Sequence, residues 1–218
     1  MPQFPQGIAR TVEPRVRTLI GALILGLSVF GCFSLLAAEV SPGSATEAMK
    51  GTIDQALEIL SDESLKAPDR AQERVKILED IIGKRFNYQE MGKRTLGKHW
   101  QQASEADREE FVHLFQRFLS KTYAGNVDGY SGEQVEYLKE RRKGDFAEVQ
   151  TAVTSDKSTL SIYYRMLKSS NGWQVYDVVL DGVSLVKNFR SQFGRIIEAE
   201  SVEGLLEKLR IKTARPQS

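Results

Sequence analysis

The hydrophobic period of this chain changes twice, and those two changes fix its fold class. Up to about residue 124, apolar residues recur every three or four positions, the spacing of one helix face. Between Val135 and Leu180 they recur every second position, the spacing of a half-buried strand. From Ser184 the helical spacing returns. Helices, then grouped strands, then helices predict an α+β domain rather than alternating βαβ units.

The helical part is expected over about residues 44–129. Ser44 and Glu47 make a capping box in SATE, followed by Met49, Ile53, Ala56, Leu57 and Leu60 at helical spacing. Pro68 suits the first turn of a second helix, whose apolar set includes Val75, Leu78, Ile81 and Ile82. Phe86, Tyr88, Met91 and Leu96 continue to Gly97, with Trp100 just past it. The clearest helix is capped by Ser104, with Asp107 three residues on. Phe111, Leu114, Phe115, Phe118, Leu119, Thr122 and Tyr123 then form one broad apolar face.

Strands are expected at VEYL (135–138), FAEVQTAVT (146–154), TLSIYYRML (159–167) and WQVYDVVL (173–180), all within about 134–181. Their short separators imply an antiparallel meander. Simple alternation puts Val175 and Val179 on one face of the last strand, and Tyr176, Val178 and Leu180 on the other. A strand apolar on both faces needs cover on both, which the helices at 104–123 and 184–197 are expected to give. Asp181-Gly182 turns the chain and Ser184 caps the closing helices, about 184–210. The expected architecture is a curved antiparallel sheet of about four strands with covering helices, forming a cone, plus an N-terminal helical subdomain.

The first 38 residues read as an address. Arg10, Arg15 and Arg17 precede an uncharged apolar run at 18–38 that ends in Ala37 and Ala38. A cut after Ala38 leaves a domain over 39–218. An uncleaved anchor and a lipid attached at Cys32 are the other readings, and all three export the domain. Cys32 is the only cysteine in 218 residues, so an intramolecular disulfide and a cysteine metal cluster are excluded. A net charge of +1 gives no basic field for nucleic acid. The chain carries no zinc-protease, redox, dinucleotide or phosphate-loop signature. GYSGE at 129–133 lacks the last glycine of a nucleophile elbow and reads as a turn.

The ordered set of Phe86, Tyr88, Met91, LGKHW (96–100), S-x-x-D-R-E-E-F (104–111) and F-x-x-F-L-x-x-T-Y (115–123) goes further. With the W-x-V-x-D-V strand at 173–178 and D-G-V-S-L-V at 181–186, it resembles the toluene-tolerance family of periplasmic phospholipid-binding proteins, the MlaC family, over about residues 45–210. That resemblance implies a fold similar to nuclear-transport-factor-2 domains and a lipid cargo with its tails inside the protein. The cargo is a phospholipid or another lipid, since hopanoid-associated relatives share the pattern. The implied partners are an inner-membrane ABC transporter complex with an MCE-type lipid-binding subunit and an outer-membrane lipoprotein complex. The implied location is the periplasm, with no nucleic acid, catalytic residue, metal or cofactor.

Each buried methylene is worth about 0.8 kcal/mol, so an acyl chain crosses water only inside a dry cavity. The expected wall takes Met91, Leu96 and Trp100 from the helical stretch before Ser104. It takes Phe111, Phe115, Phe118, Leu119 and Tyr123 from the next helix. Strands add Leu160, Ile162, Tyr164, Val178 and Leu180, and the closing helix adds Leu185, Val186 and Phe189. A plain core is the bland reading of the same stripe. Asp177, with Tyr164, is the one pair that suits an enzyme on this kind of cone, although a buried Asp accepting backbone hydrogen bonds is the commoner use. Arg190 and the KERRKGD run at 139–145 read as solvated charge, or as contacts to a phosphate or to an anionic surface. An envelope adaptor with a solid core is the remaining alternative.

Overall fold

The computed structural model describes residues 43–124, 130, 132–155 and 158–214. The proposed signal and its cleavage point lie outside them. So do Gly129 and Ser131 of the GYSGE turn and Asp156-Lys157 of the second strand separator. Five α-helices and five strands are described: α1 Ala45–Ser61, α2 Ala71–Arg85, α3 Tyr88–Leu96, α4 Glu105–Ala124, β1 Gln134–Lys143, β2 Phe146–Thr154, β3 Thr159–Ser169, β4 Gly172–Leu180, β5 Val183–Ser184 and α5 Leu185–Ala214.

The strands run β1-β2-β3-β4-β5 in one curved, unclosed antiparallel sheet. β1 reaches Lys143, past the expected end at Leu138, because the charged KERRK run pairs with β2 across its whole length. Its exposed positions carry the charge, which suits an edge strand. The last connection is tighter than expected. Asp181 and Gly182 have φ of 45° and 82°, so both occupy the left-handed region of a two-residue hairpin turn. That turn makes β5, two residues long, before the helix begins.

Cross-strand register separates the two sheet faces. Val149, Tyr164 and Val178 are partners in one row, with Thr151, Ile162 and Leu180 following the same face. Glu148, Arg165 and Asp177 form a row on the other face. The ladder shifts between Arg165 and Met166, which pair with Asp177 and Val175, so Tyr176 is an extra residue. This bulge reverses the side-chain parity of β4 in mid-strand. Val175 therefore shares a face with Val178 and Leu180, while Val179 goes with Asp177. That corrects the alternation read from the sequence.

The covering helices also differ from expectation. α1 and α2 lie on the Val149 face. Thr46 donates from its backbone N and its Oγ1 to Glu140, at 2.8 and 2.7 Å, and Glu140 is the cross-strand partner of Val149. The Trp173 indole donates to the Gly43 carbonyl, and Arg85 donates to the Trp173 carbonyl at 2.6 Å. Asn87 N donates to Val175 O at 2.8 Å, extending the sheet edge by one parallel bridge. α4 packs instead on α3 and α5, in a bundle beside β4. Phe111, Phe115, Phe118, Phe189 and Phe193 interlock there, with centroid distances of 5.5 to 6.4 Å.

Capping is local and legible. Asp107 N donates to Ser104 Oγ while Ser104 N donates to the Asp107 carboxylate, the reciprocal box that starts α4. Ser184 Oγ accepts from Lys187 N at 3.0 Å and starts α5. Within α5, Ser201 has φ 84° and ψ 173°, and its Oγ accepts from Gly204 N at 3.4 Å. The residue is therefore a strained cap between two helical segments. A serine in that region costs about 1–3 kcal/mol, and replacing a capping serine by glycine loses a few tenths. Ser201→Gly is expected to raise the unfolding free energy by about 1 kcal/mol after the entropy of the new glycine, read as a higher urea midpoint at constant slope.

Candidate functional site

A cavity of about 600 Å³ lies between α2, the start of α3, α4 and the end of β4. Its wall is mostly apolar and it is neither sealed nor a flat groove. α2 presents Val75, Leu78 and Ile82, which recur at i, i+3 and i+7 and so share one face of that helix. Phe86, Tyr88 and Met91 close one side. Leu119 and Tyr123 of α4 stand opposite, and Val178, Leu180 and Leu185 form the floor. The polar residues sit on two walls: Glu79 and Asp80 from α2, and His113, Gln116, Arg117 and Ser120 from α4. Ser120 Oγ donates to the Glu79 carboxylate, joining the two helices beside the gap.

The wide stripe of α4 explains why the gap exists. One side of the helix turns Phe111, Phe115 and Phe118 into the aromatic bundle. The adjoining side turns Leu119 and Tyr123 toward α2, which packs on α1 and β4 and is tied to this helix through Ser120 and Glu79. The bulge at Tyr176 puts Val178 and Leu180 on the same sheet face as α1 and α2, so the sheet end faces the cavity.

Of the sequence-derived wall residues, Met91, Leu119, Tyr123, Val178, Leu180 and Leu185 border this cavity. Leu96, Phe111, Phe115, Val186 and Phe189 are buried in the core, with Phe118 partly buried against it. Trp100 lies under the Arg108 guanidinium, 5.6 Å from its ring centroid, and its carbonyl accepts from Arg108 Nε at 2.7 Å. Ile162 and Tyr164 stand one strand from the floor, paired with Leu180 and Val178, and Leu160 follows on the same strand opposite Val153. Val75, Leu78, Ile82, Phe86 and Tyr88 border the cavity without having been assigned to it. Their helical period was visible; that they face space rather than a packed neighbour was not.

Burial pushes the phenols of Tyr88 and Tyr123 up to about 12, Glu79 adding to the effect on Tyr88. The cause in both is the loss of water around the phenolate, which disfavours the charged form. Tyr164 is raised to about 12 by burial as well.

Asp177 lies on the other face of the sheet from the cavity. Its Oδ1 accepts from Val186 N at 3.0 Å; its Oδ2 accepts from Ser184 Oγ at 2.7 Å and from Arg165 Nη1 at 3.1 Å. Arg165 also pairs with Glu148 at 3.3 Å. The carboxylate thus holds the first turn of α5 against the sheet, and the negative charge favours that helix N-terminus. Arg190 is likewise structural, donating to the Arg94 carbonyl at 2.6 Å beside Gly97. His99 is buried, with Nδ1 3.1 Å from Gln102 Oε1. Among the described residues no group of His, Cys, Asp and Glu is placed to hold a metal ion, and no helix is long and apolar enough to cross a membrane.

Three comparisons bear on this architecture. The family model described as MlaC protein matches residues 50–211. The intermembrane phospholipid transport system binding protein MlaC of Haemophilus influenzae is 24% identical over 136 residues, covering 60% of this chain. The chain spans 64% of that relative's length. A solved phospholipid-binding protein from Ralstonia solanacearum, in complex with a phospholipid, superposes with a TM-score of 0.71 at 28% identity, covering 78% of this chain and 97% of its own.

Proposed function

This chain belongs to the MlaC family, and from that premise we propose that it is a periplasmic lipid carrier, not an enzyme. It holds phospholipid acyl chains in the cavity between α2, α4 and β4. The observation that carries this reading is the cavity itself: about 600 Å³, bordered mainly by apolar side chains, with its polar residues confined to α2 and α4. Ordinary small-molecule sites of about 300–1,000 Å³ have this character. The Ralstonia neighbour, named as phospholipid-binding, supports the same cargo.

In this proposal the N-terminal run exports the chain, and the carrier exchanges lipid between an inner-membrane ABC transporter complex with an MCE-type subunit and an outer-membrane lipoprotein complex. The Haemophilus relative, named for intermembrane phospholipid transport, supports that role. The enzyme alternative loses its residue, because Asp177 points away from the cavity and is fully engaged by Val186, Ser184 and Arg165.

The test is mass spectrometry of an organic extract of the protein purified from periplasm. A phospholipid in about one-to-one ratio with the protein is expected. Protein that carries no lipid, and takes none from phospholipid vesicles, overturns the proposal.

A further inference from the structure

The charged run at 139–145 has no part in the cavity. It forms the end of the β1–β2 hairpin, where Arg141, Arg142 and Lys143 are exposed and enter no ion pair among the described residues. Lys168 N donates to the Asp145 carbonyl at 2.8 Å, so the end of the β3–β4 hairpin lies beside the first and adds a fourth exposed cation. Arg142 Nε donates to the Gly144 carbonyl at 3.1 Å, and the Arg142 and Lys168 side chains lie 5.1 and 5.9 Å from the Trp173 ring centroid. Successive strand residues point to opposite faces, so Arg142 stands on one side of the sheet and Arg141 and Lys143 on the other. The cations therefore wrap the hairpin end instead of lining one face. Phe146, 44% exposed, leans edge-on against Tyr176 with centroids 6.1 Å apart, so part of its ring is held and the rest is open. Glu140 is turned to Thr46 and Glu47 accepts from Gly43 N, which leaves Asp145 as the acid of the tip itself.

We propose that this hairpin end docks on the surface of a bilayer that carries anionic lipid, a second interaction surface separate from the cavity. A partner protein that covers a sheet meets one of its faces; a bilayer is a plane, and an end with cations on both sides meets it end-on. Lys and Arg side chains keep their charges at the head groups while their stems lie along apolar surface, and an exposed aromatic ring enters the interface between them. The path of the chain points the same way. The Trp173 indole donates to the Gly43 carbonyl at 3.0 Å, so the chain enters the fold at this end. Gly43 follows Ala38, the last residue of the apolar run at 18–38, by five residues, which reach at most about 18 Å. About 20 apolar residues suffice to cross a bilayer, so while that run is attached it holds this end toward the membrane. The docking surface needs no cargo and does not rest on the carrier reading.

The experiment is vesicle flotation at low salt, with the protein purified as the cell processes it. One set of vesicles is phosphatidylcholine; the other is an equal mixture of phosphatidylcholine and phosphatidylglycerol. The reading is the ratio of protein partitioning to the two sets, because a retained apolar run enters both alike and cancels. Three net positive charges, at about fivefold each, give an expected ratio of about a hundredfold in favour of the anionic vesicles. Raising the salt is expected to erase it. The Arg141→Gln, Lys143→Gln double variant leaves Arg142 on Trp173 and is expected to lower the ratio by more than about tenfold. Lys66→Gln with Lys76→Gln removes the same charge from exposed sites elsewhere and is expected to leave the ratio unchanged. A ratio near one in the unaltered protein overturns the inference, as does an equal loss in the two double variants. Retention on beads bearing polyglutamate but not on the anionic vesicles assigns the surface to an acidic protein and overturns it too. Lipid extracted from vesicle-free protein is read separately, so none of these results bears on the carrier reading.

Discussion

Asp177→Ala is expected to lower the unfolding free energy by about 3–4 kcal/mol, a large part of the whole stability of a domain of this size. The side chain is buried and accepts from three donors on three elements, β3, β5 and α5. Its removal strands the Val186 N–H in the first turn of α5 and the Ser184 hydroxyl beneath it. Arg165 keeps Glu148 and reaches solvent, which limits the loss on that side. Each hydrogen bond to a charged acceptor contributes about 1.5–3 kcal/mol, and the three share one carboxylate, so they do not simply add. Asp177→Asn keeps an acceptor oxygen but turns an amide toward the other donors, and is expected to cost about half as much. The measurement is a urea transition with unchanged slope and a lowered midpoint. Below its unfolding transition, Asp177→Ala is expected to co-purify with the same lipid as the unaltered protein. Loss of cargo from a well-folded Asp177→Asn would give the residue a place at the binding site that its orientation denies it.

That residue also marks where sequence reading stops. Period and turn residues together located the helices and four of the five strands, because burial on one side of an element imposes its repeat on the sequence; β5 and the charged half of β1 carry no such repeat. The caps at Ser44, Ser104 and Ser184 were legible for the same reason: each is a short-range contact between residues three apart. Asp177 was visible as a polar residue in an apolar run, but its direction was not. A bulge at Tyr176 reverses the strand parity without any glycine or proline to announce it. Strict alternation therefore put Val175 with Val179 and misassigned the faces of β4.

The covering helices were misjudged through a related gap. α1 and α2 are fixed to the sheet by Thr46–Glu140, Arg85–Trp173 and Asn87–Val175, contacts between residues about ninety positions apart. No local pattern encodes them. The stripe on α4 was read correctly as one broad apolar face, yet a single face serves two surroundings. Phe111, Phe115 and Phe118 meet other phenylalanines, while Leu119 and Tyr123 pack against the core on one side and border the cavity on the other. Hydrophobicity is the same on both sides, so the difference between core and cavity wall exists only once the neighbouring helices are placed.

If the proposed function holds, Val178→Trp is expected to reduce bound phospholipid to less than about a tenth of that held by the unaltered protein. Val178 is 7% exposed and stands on the cavity floor, between β3 and the start of α5. An indole buries about 150–250 Å² of surface, enough to occupy the space that acyl methylenes would use. In a packed interior such an enlargement costs about 1–3 kcal/mol through forced rotamers and backbone shifts. Here the ring has unfilled volume to enter, so unfolding stability is expected to stay within about 1 kcal/mol of the starting value. Leu119→Trp approaches the same space from α4 and is expected to act alike. Phe115→Trp is the contrasting change: it stands at 0% exposure inside the aromatic bundle, so it should lose stability by about 1–3 kcal/mol while leaving cargo bound. The opposite signs of the two readouts separate a binding cavity from a loosely packed core. If Val178→Trp and Leu119→Trp both fold and both keep a full complement of phospholipid, the tails lie somewhere other than between α2, α4 and β4.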